Sequence, residues 1–407
     1  MGLLDRFKGS ARDRFAAEVL DVLLGLDTVA EAVYVPEDFR IDCRKVGAAP
    51  DAGPVRVYLF NAFAECQGVS ARERSERIAK LASIAALPEV PDTWEGIRPL
   101  LRPVLRQAMF GQNVDGPQAP LSRAALPYLA ELVVIDLPTA IRYVPANAPA
   151  KWGVTAEEVF TAARENLAAR AFRGAEGDQL SQQPVAIRRA DTDGDSYFAS
   201  LPLLPGWLAG MRGTAGGQPV AVVSEQNGLL LLGIPVEPKS IAGLVKLAFE
   251  EYRSAVRPIS PVPYTVDADG AVVPYTVPRE DPAWPVLREA ETALAFDVYG
   301  QQTIHLRAKY ESEAIETYVG SLIRAKSNKD ETFFTSAAWT DGIESLLPRA
   351  NYIALGADDE MFLLPFDNAI EELELAPEPG LYPARYSVGS WPDALVMDRL
   401  RSRAANP

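Results

Sequence analysis

Apolar residues recur along this chain at two different periods, and blocks of the two periods take turns. Over residues 12–24, Phe15, Val19, Val22 and Leu23 fall three to four apart, which predicts an amphipathic helix. Residues 39–44 (Phe-Arg-Ile-Asp-Cys-Arg) and 55–60 (Val-Arg-Val-Tyr-Leu-Phe) read as strands, with turn-forming 47–53 between them. Ser70 followed by Glu73 is the spacing of a capping box, so a helix opens there and runs to about Ala86.

The same grammar returns downstream. Strands are expected at 132–137 and 141–144, and Thr155 with Glu158 opens a helix that runs to about Ala171. After 197–200 and an apolar stretch holding Trp207, residues 219–224 and 229–232 form a hairpin around Asn227-Gly228. A helix at 240–252 and a hairpin joining 264–266 to 271–273 follow. Residues 294–306 can be laid over 132–144 as strand, connection and strand, with a helix at 311–325 in the place of 155–171. Residues 333–336, Trp339 and a hairpin of 352–355 with 361–364 continue the echo of 197–200, Trp207 and the earlier hairpin. This predicts that the C-terminal unit duplicates the middle one; the alternative is that strand–turn–strand–helix is a common grammar. Strands arriving in pairs give an α+β fold with antiparallel sheets rather than a doubly wound parallel one. Three units are expected: an N-terminal helix-hairpin-helix unit at 1–110, an α+β core at 111–280 and an acidic α+β unit at 281–407.

Composition narrows the chemistry. The 407 residues include 33 prolines, above the usual share of ~5%, which favours short elements and firm turns. The one histidine, His305, excludes a metal site built on several imidazoles, and the two cysteines, Cys43 and Cys66, exclude a Cys₄ zinc site or a disulfide scaffold. A net charge of −15 argues against nucleic-acid binding, which draws on clustered Lys and Arg. Residues 1–8 carry no signal-peptide pattern, and no stretch approaches ~18 consecutive apolar residues. A cytoplasmic protein without a transmembrane segment is therefore expected.

Motifs with catalytic mechanics are missing: there is no P-loop and no Gly-x-Ser-x-Gly elbow. Residues 191–195 (Asp-Thr-Asp-Gly-Asp) gather carboxylates, but an EF-hand register would put Ser196 and Pro202 where Gly and Glu belong, so a solvated turn is expected. Read as a strand, 303–307 puts His305 on a polar face with Thr303 and Arg307, and Ile304 and Leu306 in the core. Arg98, Arg102 and Arg106 are spaced by four, which stacks three guanidinium groups if a helix runs through Pro99 and Pro103. Cys43 and Cys66 are placed at the ends of neighbouring strands, as buried thiols or as a cross-strand disulfide. No cofactor, metal or catalytic residue is expected.

Residues 101–106 (Leu-Arg-Pro-Val-Leu-Arg), 131–136 (Glu-Leu-Val-Val-Ile-Asp), 141–144 (Ile-Arg-Tyr-Val) and 151–158 (Lys-Trp-Gly-Val-Thr-Ala-Glu-Glu) form an ordered pattern with 164–167 (Arg-Glu-Asn-Leu), 219–224 and 257–263. Over about residues 95–275 this resembles the uncharacterised YtpQ-like family, leaving the part from about 281 as an addition. The resemblance implies no activity. Arg106, Arg142 and Asn166 match its pattern and are the candidate ligand-binding set, with ion pairing or strand-end capping as the structural alternative. Residues 330–378 carry twelve acidic side chains against Arg349, either a surface that steers a basic protein partner or a solubilising acidic face. The leading expectation is a non-catalytic protein-interaction module. The alternative is a small-molecule binder or carboxylate-dependent hydrolase with a pocket between units.

Overall fold

The computed structural model describes residues 10–48, 53–86, 90–112, 116–138, 140–174, 197–211, 218–226, 230–233, 238–357 and 360–406. Contacts gather the chain into two units, Met1–Leu101 with Val134–Tyr143, and Arg102–Val133 with Val144–Pro407. The class is α+β, with sheets that are mainly antiparallel.

The first unit opens with helix α1 (Ala11–Leu24), where the Asp13 N–H donates to Ser10 Oγ and the Ser10 N–H donates back to the Asp13 carboxylate. Strands β1 (Val29–Val35), β2 (Arg40–Lys45) and β3 (Val55–Tyr58) follow as an antiparallel sheet in that order. Sequence periodicity misses β1, because this edge strand buries only Val29 fully and its alternation is faint. Helices α2 (Phe60–Glu65), α3 (Ala71–Ala82) and the single turn α4 (Trp94–Ile97) complete the run. The capping box expected at Ser70 and Glu73 is present. Phe15, Val19 and Leu23 of α1 pack with Phe39, Ile41 and Val57 in one core, and Arg74 of α3 reaches Glu18 of α1 through two bonds of 2.8 and 3.0 Å.

Cys43 and Cys66 are both free and buried in this core, which corrects the disulfide alternative. Cys66 caps α2 and does not end a strand. Burial pushes the Cys43 thiol up to about 11 and raises that of Cys66 as well.

Strands β4 (Leu101–Gln107), β5 (Ser122–Leu126) and β6 (Leu129–Asp136) make a sheet of order β4-β6-β5, and β7 (Ile141–Tyr143) pairs with the end of β6. Arg102 and Arg106 therefore lie on a strand, not on the helix their spacing allowed, because Pro99 and Pro103 exclude a continuous helix. Helices α5 (Ala148–Trp152) and α6 (Ala156–Gly174) follow, the latter capped by Thr155 and Glu158 as expected. Strands β8 (Val220–Val223) and β9 (Leu230–Gly233), helix α7 (Pro238–Ser254), and strands β10 (Pro263–Val266) and β11 (Val272–Pro274) form the next layer, with sheet order β11-β10-β8-β9. Both expected hairpins are there.

The largest departure comes next. Residues 294–306 are part of one continuous helix, α8 (Trp284–Ser312), so their overlay on 132–144 as paired strands fails. Leu287, Ala290, Leu294, Val298, Gln302 and Leu306 are buried at intervals of three and four, the period of a helix. The helix also overturns the reading of 303–307: Thr303 and Leu306 are buried, Ile304 is exposed and His305 is half-buried. The helix expected at 311–325 is replaced by strands β12 (Tyr318–Val319) and β13 (Leu322–Lys326). These precede β14 (Phe333–Thr340), β15 (Ser345–Pro348), β16 (Tyr352–Ala357), β17 (Glu360–Pro365), helix α9 (Phe366–Leu373), β18 (Arg385–Val388) and α10 (Ala394–Ser402). One sheet has the order β13-β14-β16-β17, with β14 and β16 parallel; the other is β12-β15-β18. The hairpin predicted from 352–355 and 361–364 is β16–β17.

Arg385, at the start of β18, is fully buried and fixes α8 to the smaller sheet. Its guanidinium donates to Gln302 Oε1 (2.6 Å), Thr303 Oγ1 (2.6 Å) and the carbonyls of Gly320 (2.8 Å), Leu346 (3.1 Å) and Tyr299 (3.4 Å). Burial pulls its pKa down to about 10, which still leaves it charged at neutral pH.

Two outcomes follow. Arg385→Met strands these buried acceptors, and urea unfolding should show a loss of roughly 3 kcal/mol or more. Ellman's reagent should label Cys43 and Cys66 only as unfolding exposes them; rapid labelling of folded protein at neutral pH would contradict the buried placement.

Candidate functional site

The best-defined polar concavity lies wholly in the second unit, where α8 turns one face to the loop between β15 and β16. Arg288, Glu291, Thr292 and Ala295 come from α8 at intervals that share one face. Thr335 comes from β14, Arg349, Ala350 and Asn351 from the end of β15 and the connection to β16, and Asp367 from the first turn of α9. Tyr128, at the β5–β6 hairpin, completes the lining. The cavity holds about 190 Å³, less than the ~300–1,000 Å³ common for drug-sized ligands.

Asn351 ties these elements together. Its side-chain Oδ1 accepts from the Thr335 N–H (2.9 Å), Thr335 Oγ1 (3.0 Å) and Arg288 Nη2 (2.7 Å). Its carbonyl accepts from the Phe366 N–H at the head of α9, which brings Asp367 to the rim. An amide oxygen carrying three bonds is fully used, so Asn351 positions neighbours. Thr292 is also occupied, donating to the Arg288 carbonyl (2.7 Å) and accepting from Arg324 Nε (3.1 Å).

Two ion pairs remain on the cleft wall: Arg288 with Glu291, and Arg349 Nη2 with Asp367 Oδ1. The Asp367 carboxylate is mostly exposed, so this pair adds little stability. Arg349 Nη1 is buried and finds no acceptor among the described residues. A buried donor left unsatisfied costs ~1–3 kcal/mol.

Tyr128 is placed against local preference. It follows Pro127 in the two-residue connection closed by the Leu126–Leu129 pair, at φ +66°, a position that suits Gly or Asn. Its ring meets Tyr299 edge-on at 5.8 Å, and Tyr299 OH donates to the Ala384 carbonyl (2.6 Å) while accepting from the Arg349 N–H (3.1 Å). Burial pushes the Tyr128 phenol well up, with Glu291 adding to the rise and Arg349 and Arg288 opposing it; burial likewise raises Tyr299.

The residues singled out from the sequence lie elsewhere. Arg106 is buried on β4, donating to the Leu105 carbonyl (2.7 Å) and lying 5.8 Å from the Phe110 ring centre. Arg142 is exposed on β7 and Asn166 half-buried on α6. None of the three lines the cleft. Residues 191–195 fall outside the described residues, and among those described no cluster of three His, Cys, Asp or Glu is placed to hold a metal. Glu131, fully buried on β6, is clamped by Arg164 (2.8 and 2.6 Å) and Arg123 (2.7 Å), an ion-pair network rather than an acid free to donate a proton. Reading 284–312 as a helix would have gathered Arg288, Glu291 and Thr292; nothing local marks Asn351 or Tyr128.

Raised tyrosines set the alkaline limit. The unfolded phenol titrates near ~10, so the contribution of Tyr128 and Tyr299 is whole below that pH and is lost as pH climbs towards their higher folded values. Tyr34 and Tyr382, each pushed by burial to about 12, act in the same direction. Stability should fall from pH 10 upward, and Tyr128→Phe should flatten the fall by up to one proton, about 1.4 kcal/mol per pH unit, read by denaturant titration with tyrosinate absorbance.

No described helix is long and apolar enough to cross a membrane. No family model, curated protein or solved structure matches this chain.

Proposed function

We propose that this protein binds a small carboxylate-bearing molecule in the cleft beside α8, without transforming it. The observation that carries this reading is Arg349, a guanidinium that lines a polar cavity and whose buried Nη1 has no acceptor among the described residues. A carboxylate in the cavity would meet a guanidinium that its exposed pair with Asp367 leaves incompletely satisfied. Tyr128, held at a strained backbone angle with its phenol kept protonated, supports the same reading, since unfavourable backbone conformations gather at binding sites. A hydrolase finds less support: the carboxylates of Glu291 and Asp367 are each already engaged by an arginine.

Docking of a basic partner on 330–378 is the weaker alternative. Asp330 pairs with Arg279, Asp367 with Arg349, Glu371 with Arg403 and Glu372 with Arg399, which offsets much of the field that would steer such a partner. A cytoplasmic location fits the two free thiols. The proposed YtpQ-like resemblance over about 95–275 includes Tyr128 and leaves the cleft residues from Arg288 onward outside its span.

Saturation-transfer NMR with acetate, propionate, glycine and succinate tests the reading. At least one should bind wild type and lose tenfold or more in affinity with Arg349→Met, while Arg349→Lys retains part of it. Silence from the whole panel would reject a carboxylate site here.

A further inference from the structure

Resting on the reading of the cleft as a carboxylate site, we infer that its ligand is a zwitterion of amino-acid size, with the carboxylate on Arg349 and Tyr128 and the ammonium on Glu291 and Asp367. Bonding capacity is left over in the cleft once the internal pairs are made. Arg288 engages Oε2 of Glu291, and Arg349 engages Oδ1 of Asp367. The second oxygen of each acid accepts nothing from the described residues, Arg349 Nη1 donates to nothing, and the Tyr128 hydroxyl makes no hydrogen bond with them. Tyr128, Glu291, Arg349 and Asp367, each with bonding capacity left over, all line the one small cavity.

Charge then selects among ligand classes. Two guanidinium groups and two carboxylates sum to zero, so a dianion would meet both acids and a diamine would meet both arginines. A molecule with its own charges separated meets an opposite charge at each end. Size and polarity narrow it further. A cavity of about 190 Å³ suits a few heavy atoms, and the apolar lining is Ala295 and Ala350, room for a short side chain and not for an aromatic ring.

The test compares three probes on the full chain by saturation-transfer NMR titration: L-alanine with both charges, propionate with the carboxylate alone, and alaninamide with the ammonium alone. L-alanine should bind at least tenfold more tightly than either. The double variant Glu291→Gln, Asp367→Asn should shrink its advantage over propionate to less than threefold while propionate itself still binds. Both substituted side chains are substantially exposed, and circular dichroism checks that the fold is kept. Propionate binding as tightly as L-alanine would overturn the zwitterion and leave the carboxylate site standing. An L-alanine advantage undiminished in the double variant would also overturn it. No binding by any of the three would remove both readings together.

Discussion

A single buried cation sets the terms for the second unit. Among the described residues Arg385 has no carboxylate partner; its five N–H groups are answered by neutral oxygens from α8, from Gly320 and from β15. A charge held this way is costly unless every donor is satisfied, so the positions of the elements carrying those oxygens are constrained together. Tyr299 lies at the centre of this arrangement. Its ring centre is 5.5 Å from the Arg385 guanidinium, its carbonyl accepts from Arg385, and its hydroxyl accepts from the Arg349 backbone N–H. Its ring also meets Tyr128 edge-on. The cleft therefore inherits its geometry from a polar core, through one tyrosine.

That dependence explains why the cleft is built of residues already committed elsewhere. Asn351 spends its side-chain oxygen on Thr335 and Arg288, and Thr292 spends its hydroxyl within α8 and on Arg324. Such groups hold neighbours in place, and under the proposed reading ligand contacts fall to Arg349, Tyr128, Glu291 and Asp367. A rigid surround with a few unsatisfied groups suits selective binding of a small molecule, because little ordering is required when it arrives.

Charge elsewhere is arranged for internal pairing. The basic end of the chain, through Arg399 and Arg403, meets Glu372 and Glu371 of α9. Of the twelve acids in 330–378, Asp330, Asp367, Glu371 and Glu372 are paired with arginines in the fold. Charges distant in sequence neutralise one another in space, and only the fold brings them together.

Local signals were legible where the physics is local. The Ser10, Ser70 and Thr155 helix starts depend on bonds spanning three residues, and the β8–β9, β10–β11 and β16–β17 hairpins on alternation about a short turn. Residues 294–306 read as paired strands because their apolar positions also fit short alternating runs, and burial on one face decides in favour of the helix. The arginines at 98, 102 and 106 went the other way, since prolines exclude the helix their spacing suggests. The sequence by itself determined the α+β class, several helix starts and hairpins, and that no multi-histidine or multi-cysteine centre can be built from this chain. Tertiary structure alone decided that Tyr128, Arg288, Arg349, Asn351 and Asp367, spread over some 240 positions, line one cleft. The reason is physical: a site assembled by long-range packing and a buried arginine leaves no periodicity or spacing for a linear reading to detect.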